Sequence, residues 1–264
     1  MNLRACLLTH NQCYLAGRTI IPTGVMVHST GANNPTLRRY VQPNDGLLGM
    51  NPNGNHWNRA GVNVCVHAFI GKLADGSIAT YQTLPWNRRG WHAASGKKGS
   101  ANNTHIAFEI CEDGLNDPAY FRAVYREAVE LTAYLCKMYQ LNPKKDGVVI
   151  CHQEGYRRGI ASNHGDVLHW FPKFGKTMDT FRADVAREME DEMTEKQVRE
   201  IIDRALAERD EAVIKAAQTV SPWAKEAWNK AVGGGVFDGT RPGAALTREQ
   251  AATVFDRMGL LKGD

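Results

Sequence analysis

The sequence predicts an α/β domain with a central mixed β-sheet flanked by helices, followed by a connecting helix and a small helical module. Three observations carry this. Short β-branched bursts alternate with long amphipathic stretches over the first 190 or so of the 264 residues. Gly, Pro and Asn clusters punctuate those bursts as turns. Near residue 190 the composition shifts to a charge-dense run without Gly or Pro.

The elements follow in order. "TGVMVHSTG" (23–31) reads as a strand that ends in polar residues and Gly. "VNVCVHAFIG" (62–71) alternates as a strand, "LADG" turns, and "SIATYQTL" (77–84) is the next strand. "HIAFEIC" (105–111) is a buried strand with one charge, Glu109, in its middle. "DPAYFRAVYREAVELTAYLCKMYQL" (117–141) opens on Asp-Pro and repeats apolar residues at helical spacing: Phe121, Val124, Tyr125, Ala128, Leu131, Leu135 and Met138. "GVVIC" (147–151) is a strand, and "TMDTFRADVAREME" (177–190) is a second amphipathic helix. These assignments give a first domain over residues 1–187.

Residues 188–217 predict a charged linker helix. Val198, Ile202, Ala205, Ala212 and Ala216 form a narrow apolar stripe, interrupted by Arg209. A short coiled coil there would make the chain a homo-oligomer through 190–217, although the run is short of four heptads. In residues 218–264, Ser-Pro-Trp opens a helix, "DGTRPG" turns, and Thr247 with Gln250 three positions on forms a capping box for a last helix.

Charge is uneven along the chain. Residues 1–187 hold 21 Lys/Arg against 13 Asp/Glu, a net +8; 188–217 hold 5 against 10, a net −5; 218–264 hold 6 against 5. A basic front half fits a polyanionic partner, nucleic acid or an anionic polymer, and fits solubility alone equally well. The first 17 residues lack a signal-length apolar core, since His10, Asn11 and Gln12 interrupt it. No run approaches the roughly 18 apolar residues of a membrane span. The expectation is cytoplasmic synthesis without a signal peptide. The six cysteines show no C-x-x-C pair, and Cys65, Cys111 and Cys151 sit in apolar runs, which predicts reduced core thiols and no thiolate metal site.

The densest chemistry is "CHQEGYRRGIASNHGDVLHW" (151–170), directly after a strand. Catalytic zinc takes about three protein ligands and keeps one position open. His152 at a strand end and Asp166 after a Gly-containing loop fit two of them; His28, at the end of another apolar strand, is the best candidate for the third. Duller readings stand beside this one. A strand-end His is often a satisfied hydrogen-bonding group, Asp166 suits a turn cap, and His164 and His169 suit a surface. Glu109 interrupts a buried strand, where an unpartnered carboxylate costs several kcal/mol. It is either a structural ion-pair partner or a general base facing a metal-bound water. His92, in "RRGWHAASG", sits beside Trp91 and small residues as in a cleft wall.

"GVMVHSTG", "GWHAASG", "NNTHIAFEICED", "VVICHQEGYRRG" and "NHGDVLHWF" together resemble, in order and spacing, the zinc-dependent N-acetylmuramoyl-L-alanine amidases, the amidase-2 group that is similar to phage lysozyme amidases and peptidoglycan recognition proteins. The resemblance spans about residues 20–187. It implies Zn2+ on His28, His152 and Asp166, and Glu109 as the residue that activates water. The family often has a Lys two positions before the third ligand, thought to stabilise the oxyanion. His164 stands there instead, and a protonated imidazole can do that job only below its pKa. A rival assignment makes His164 the ligand and Asp166 the partner behind it. His92 and Asn103 match family positions that contact substrate.

"WAKEAWNKAVGGGVFDGTRPGAALTREQAATVF" resembles a single S-layer homology unit. Such units are associated with secondary wall polymers. The resemblances imply a hydrolase of bacterial peptidoglycan with a wall-targeting module at 218–264, of phage or prophage endolysin type, which acts on the wall after release. They imply no nucleic-acid or membrane partner. Two other classes remain open: a non-catalytic peptidoglycan-binding recognition protein, and a wall-anchoring protein built around the C-terminal unit.

Overall fold

Strand alternation decides where the chemistry sits. In the computed structural model, which describes residues 1–42 and 46–261 apart from the side chains of 191–198, 200, 201 and 216, six strands form one mixed sheet. They are β1 (Leu3–Ala5), β2 (Gly24–Asn33), β3 (Ala68–Lys72), β4 (Ile78–Gln82), β5 (His105–Glu112) and β6 (Val149–Cys151). Their order is β1-β4-β3-β5-β2-β6, and only the β3–β4 pair is antiparallel. The predicted fold class holds.

Successive side chains on a strand point to opposite faces. Val25, Val27, Ile106, Phe108 and Ile110 face one way and pack on Phe121, Val124, Ala128, Leu131 and Leu135 of α2 (Pro118–Met138). Trp170, Phe171 and Phe181 complete that core. Met26, Ala107, Cys111 and Ile150 face the other way, under loop residues such as Leu37, Tyr40 and Leu48. His28 and Glu109 continue this second face, because each lies two positions past a residue that points there. That face is roofed by loops, and at the carboxyl ends of the parallel strands it opens into a cleft. Open α/β sheets place ligands at that edge.

Helix α2 forms where its sequence says it should. Asp117 caps it, accepting bonds from Ala119 N (2.8 Å) and Tyr120 N (3.1 Å), and Pro118 occupies the first turn. Two short helices precede and follow the sheet's functional edge: α1 (Gln12–Leu15) and α3 (His152–Arg157). Helix α3 is clamped by Glu154, which accepts from Cys151 N and from Arg182 on α4 (Met178–Ala217). All six cysteines are free, and Cys65, Cys111 and Cys151 are buried.

Three expectations need correction. The 62–71 run is a strand only from Ala68. At His67 the ring takes over part of the ladder, its Nδ1 accepting from Ala107 N at 3.0 Å, while Cys65 pairs with Trp91 through both backbone groups. The helix over 177–190 and the linker helix are one element, the 40-residue α4. Strand β1 was not expected; three residues are too few to show alternation, and its parallel pairing with β4 is what defines it.

The described residues divide into two compact units, Met1–Glu192 and Met193–Asp264. The second unit contains α5 (Lys225–Gly233) and α6 (Arg248–Arg257). Thr247 and Gln250 form the capping box at α6, and Trp228 stacks on Phe237. Within the linker stripe, Ile202, Ala205 and Ala212 are exposed; Val198 and Ala216 lie outside the described side chains. Among the described residues, no helix is long and apolar enough to cross a membrane.

Candidate metal centre

Three loops and strands bring three donors together. His28 comes from within β2, which continues to Asn33 rather than ending near the histidine. His152 is the first residue of α3, directly after β6. Asp166 opens a short 3-10 turn, Asp166–His169. His28 Nδ1 lies 3.2 Å from His152 Nδ1 and 3.4 Å from Asp166 Oδ1, and His152 Nδ1 lies 3.3 Å from Asp166 Oδ2. One ligand atom from each lies within 4.8 Å of the others.

These distances test the fit of a cation. Four donors arranged tetrahedrally at about 2.0–2.1 Å from an ion stand about 3.3 Å apart. The two imidazole nitrogens stand near that edge length from each other, and each stands near it from a different oxygen of Asp166, His28 from Oδ1 and His152 from Oδ2. Two imidazoles with one carboxylate also form a donor set of the catalytic zinc type, leaving a fourth corner. Asp166 Oδ2 is buried and makes no hydrogen bond despite its proximity to His152, as expected of an oxygen placed for an ion.

The electrostatics agree. Burial opposes charge on His28, but the hydrogen bond and charge of Asp166, with Glu109, outweigh it and raise the His28 pKa. Burial also opposes ionisation of Asp166, yet His28, His152 and the Ser29 backbone amide hold its pKa down. Burial, then the neighbouring His28, lowers the His152 pKa to about 4. The cluster thus favours one positive charge placed among three donors.

A second layer holds the imidazoles. His28 Nε2 lies 3.2 Å from His92 Nδ1, and His152 Nε2 lies 3.2 Å from Ser162 Oγ, which lies 3.0 Å from His164 Nδ1. Such partners orient ligating histidines and fix their tautomers. If His28 Nδ1 ligates an ion, its Nε2 carries the hydrogen and donates to His92 Nδ1. The His92 hydrogen then sits on Nε2, a buried nitrogen without a partner that lines the cleft. Burial, then the surrounding imidazoles, drives the His92 pKa well below its ordinary value, so this ring is neutral. Asn102 sets the His92 loop, its Oδ1 accepting from His92 N (2.8 Å) and Ala93 N (3.0 Å) while its Nδ2 donates to Ala94 O. Gly96 lets that loop meet the end of α3, since a Cβ there would stand 2.3 Å from Gly159 O.

Glu109 stands in register with His28 on the adjacent strand. Its Oε2 is enclosed and unpartnered, and burial pushes its pKa up to about 8. The cleft has a volume of about 500 Å³ and includes Glu109, His92, His164 and His169 in its lining; no Lys or Arg lines it among the described residues. Of the residues singled out from sequence, His28, His152, Asp166, Glu109, His92 and His164 all meet here. Asn103 does not line this cleft: it is exposed, and its Oδ1 accepts from Arg89 Nε at 2.7 Å. Its neighbour Asn102 is the buried one. Sequence reasoning missed Ser162 and Asn102, whose small polar side chains carry no spacing signal. It also missed the bond between His169 and Glu112 (2.9 Å).

Comparison with known proteins follows the same outline. The profile of the N-acetylmuramoyl-L-alanine amidase family matches residues 17–167, more than half of the chain, and that span includes all of these cleft residues except His169. A single-substitution mutant of PlyL aligns at 21% identity with a TM-score of 0.50, over 70% of this chain and 99% of that one. The solution structure of the PlyG catalytic domain aligns at 19% identity and a TM-score of 0.49, over 72% and 96%. The Staphylococcus aureus hydrolase AmiA, in complex with its ligand, aligns at 19% and 0.46, over 73% and 84%. No curated protein matches the chain. At 21% identity, the likeness to PlyL speaks for the fold alone. Sheet, cleft and profile together place the chain in the N-acetylmuramoyl-L-alanine amidase family.

Proposed function

We propose that the protein is a zinc-dependent peptidoglycan amidase that hydrolyses the amide bond between N-acetylmuramic acid and the L-alanine of the stem peptide. The observation that carries this reading is the convergence of two imidazole nitrogens and the Asp166 carboxylate, one ligand atom of each within 4.8 Å of the others, beside the unpartnered Oε2 of Glu109. A zinc ion held by these three donors supplies Lewis acidity for the scissile carbonyl, a more acidic water, and positive charge that favours ionised Glu109.

The protein's own groups do the rest. Glu109 accepts a proton from the attacking water and hands it to the departing amine of L-alanine. His92 presents its Nε2–H to a substrate carbonyl, held at a fixed angle by Asn102 and His28. His164, through Ser162, shares the hydrogen-bond chain of His152, and we assign it the role of oxyanion partner. Trp57 and Trp91 give the cleft apolar walls that exclude water from the reacting groups.

The second unit suits a polymer partner. A groove of about 520 Å³ combines Trp228 and Phe237 with Arg241 and Arg257. Aromatic faces with guanidinium forks suit an anionic sugar polymer, so we assign residues 218–264 to binding of a secondary wall polymer. A lytic enzyme with such a tail fits a phage or prophage endolysin. Mass analysis of digested cell wall tests the reaction. New free amino termini on L-alanine support it; new reducing sugar ends, or no products, overturn it.

A further inference from the structure

We propose that His169 and Glu112 form a latch that positions Asp166, holding its turn in the conformation that directs the carboxylate at His28 and His152. The proposal deepens the metal-site reading above and rests on it for the identity of the ligand.

The need for a latch comes from the backbone. Asp166 adopts φ +45°, in the left-handed region that L-residues other than glycine seldom enter. Its preceding residue, Gly165, is in the ordinary right-handed region at φ −79°, so the strain falls on the liganding residue itself. Strained residues persist where the surroundings over-determine them, and that happens most at functional sites. Something must therefore hold the turn from its far end.

His169 is that end. It closes the single 3-10 turn that Asp166 opens, so ligand and latch share one short element. Its Nε2 meets Glu112 Oε1 at 2.9 Å. Glu112 is buried, 5% exposed in its side chain, and belongs to β5, three positions past Glu109. The Glu112 amide in turn donates to Thr30 Oγ1 at 3.1 Å, two positions past His28 on β2. The latch thus ties the Asp166 turn to the two strands that carry His28 and Glu109. His169 is 41% exposed in its side chain, so this ring is not needed to fill the core. Val167 and Trp170 are buried and anchor the same turn in the core; they fix its position, while the polar latch fixes its rotation at the cleft. His169 is a positioning residue in this account.

The test uses the full chain as wild type, His169→Ala, and His169→Gln, which keeps an N–H donor. Two readouts are taken. The first is amide hydrogen exchange in the turn 165–168, with metal removed by a chelator. We expect exchange at least about tenfold faster in His169→Ala, confined to the turn, and near wild type in His169→Gln. The second is zinc affinity by competition with a chromogenic chelator. We expect about 10–100-fold weaker binding in His169→Ala and recovery to within about threefold in His169→Gln. Unchanged exchange in His169→Ala overturns the latch, whatever zinc does. Faster exchange with unchanged zinc affinity overturns the link to Asp166. A merely structural role would lower thermal stability in both variants alike and leave affinity intact. Wild-type protein that binds no zinc would sink the metal reading, and the exchange result would still decide the latch.

Discussion

Glu109 stands directly opposite His28 across the parallel β2–β5 pair, with Phe69 of β3 opposite it on the other side. Residues so paired project from the same face of a sheet. The pairing sets a carboxylate beside an imidazole without any loop having to close, and burial gives that carboxylate a pKa of about 8. A rigid strand pair is the right place for the general base proposed above.

Replacing Glu109 with Gln therefore separates binding from turnover. Glu109→Gln keeps the shape of the cleft and leaves His28, His152 and Asp166 intact. The expected result is unchanged zinc content with turnover of a soluble muropeptide reduced about 10²–10⁴-fold. Turnover within a factor of three of wild type would remove Glu109 from the mechanism.

His67 sets a pH limit on the fold. Its Nε2 donates to Arg88 O at 2.6 Å and its Nδ1 accepts from Ala107 N, so the neutral ring is locked in one tautomer. Burial lowers its pKa to about 4 from 6.5. The unfolded chain thus binds a proton that the native state refuses between those values, and stability falls as pH drops through that window. The full effect is about 3 kcal/mol. His67→Gln should flatten the fall in urea midpoint between pH 6.5 and 4 in chelator-treated protein. A slope identical to wild type would show that His67 is not the source.

His164 tests the oxyanion assignment. His164→Lys supplies a permanent cation near Ser162 and should keep activity within about tenfold. It should also extend activity to higher pH, because a lysine stays charged where a histidine does not. An inactive variant with full zinc content would count against this role for His164.

The two resemblances predict separable tasks. A chain ending at residue 189 should cleave a soluble muropeptide at about the rate of the full protein and bind intact walls more weakly. Equal wall binding by both would remove the targeting role from the C-terminal unit.

Much of this was legible in the sequence because strand periodicity and side-chain chemistry act locally. The burst before His28 and the charge inside "HIAFEIC" each marked a residue on the cleft face, and Asp-Pro marked the start of α2 within a residue. What stayed hidden depends on long-range geometry. Strand β1 is defined by its partner β4 rather than by its own three residues. Asn103 and Asn102 are chemically identical and adjacent, and only the turn between Ala101 and Asn103 decides which one faces inward. The His169–Glu112 bond joins residues 57 positions apart, across two elements.

The central claim is that His28, His152 and Asp166 grip one divalent ion, and native mass spectrometry of the purified full chain measures this most directly. The account predicts one zinc per wild-type chain after incubation with zinc and removal of excess, and less than about a tenth of that in His28→Ala and His152→Ala. Wild-type chain without zinc, or alanine variants that retain one zinc each, would contradict it.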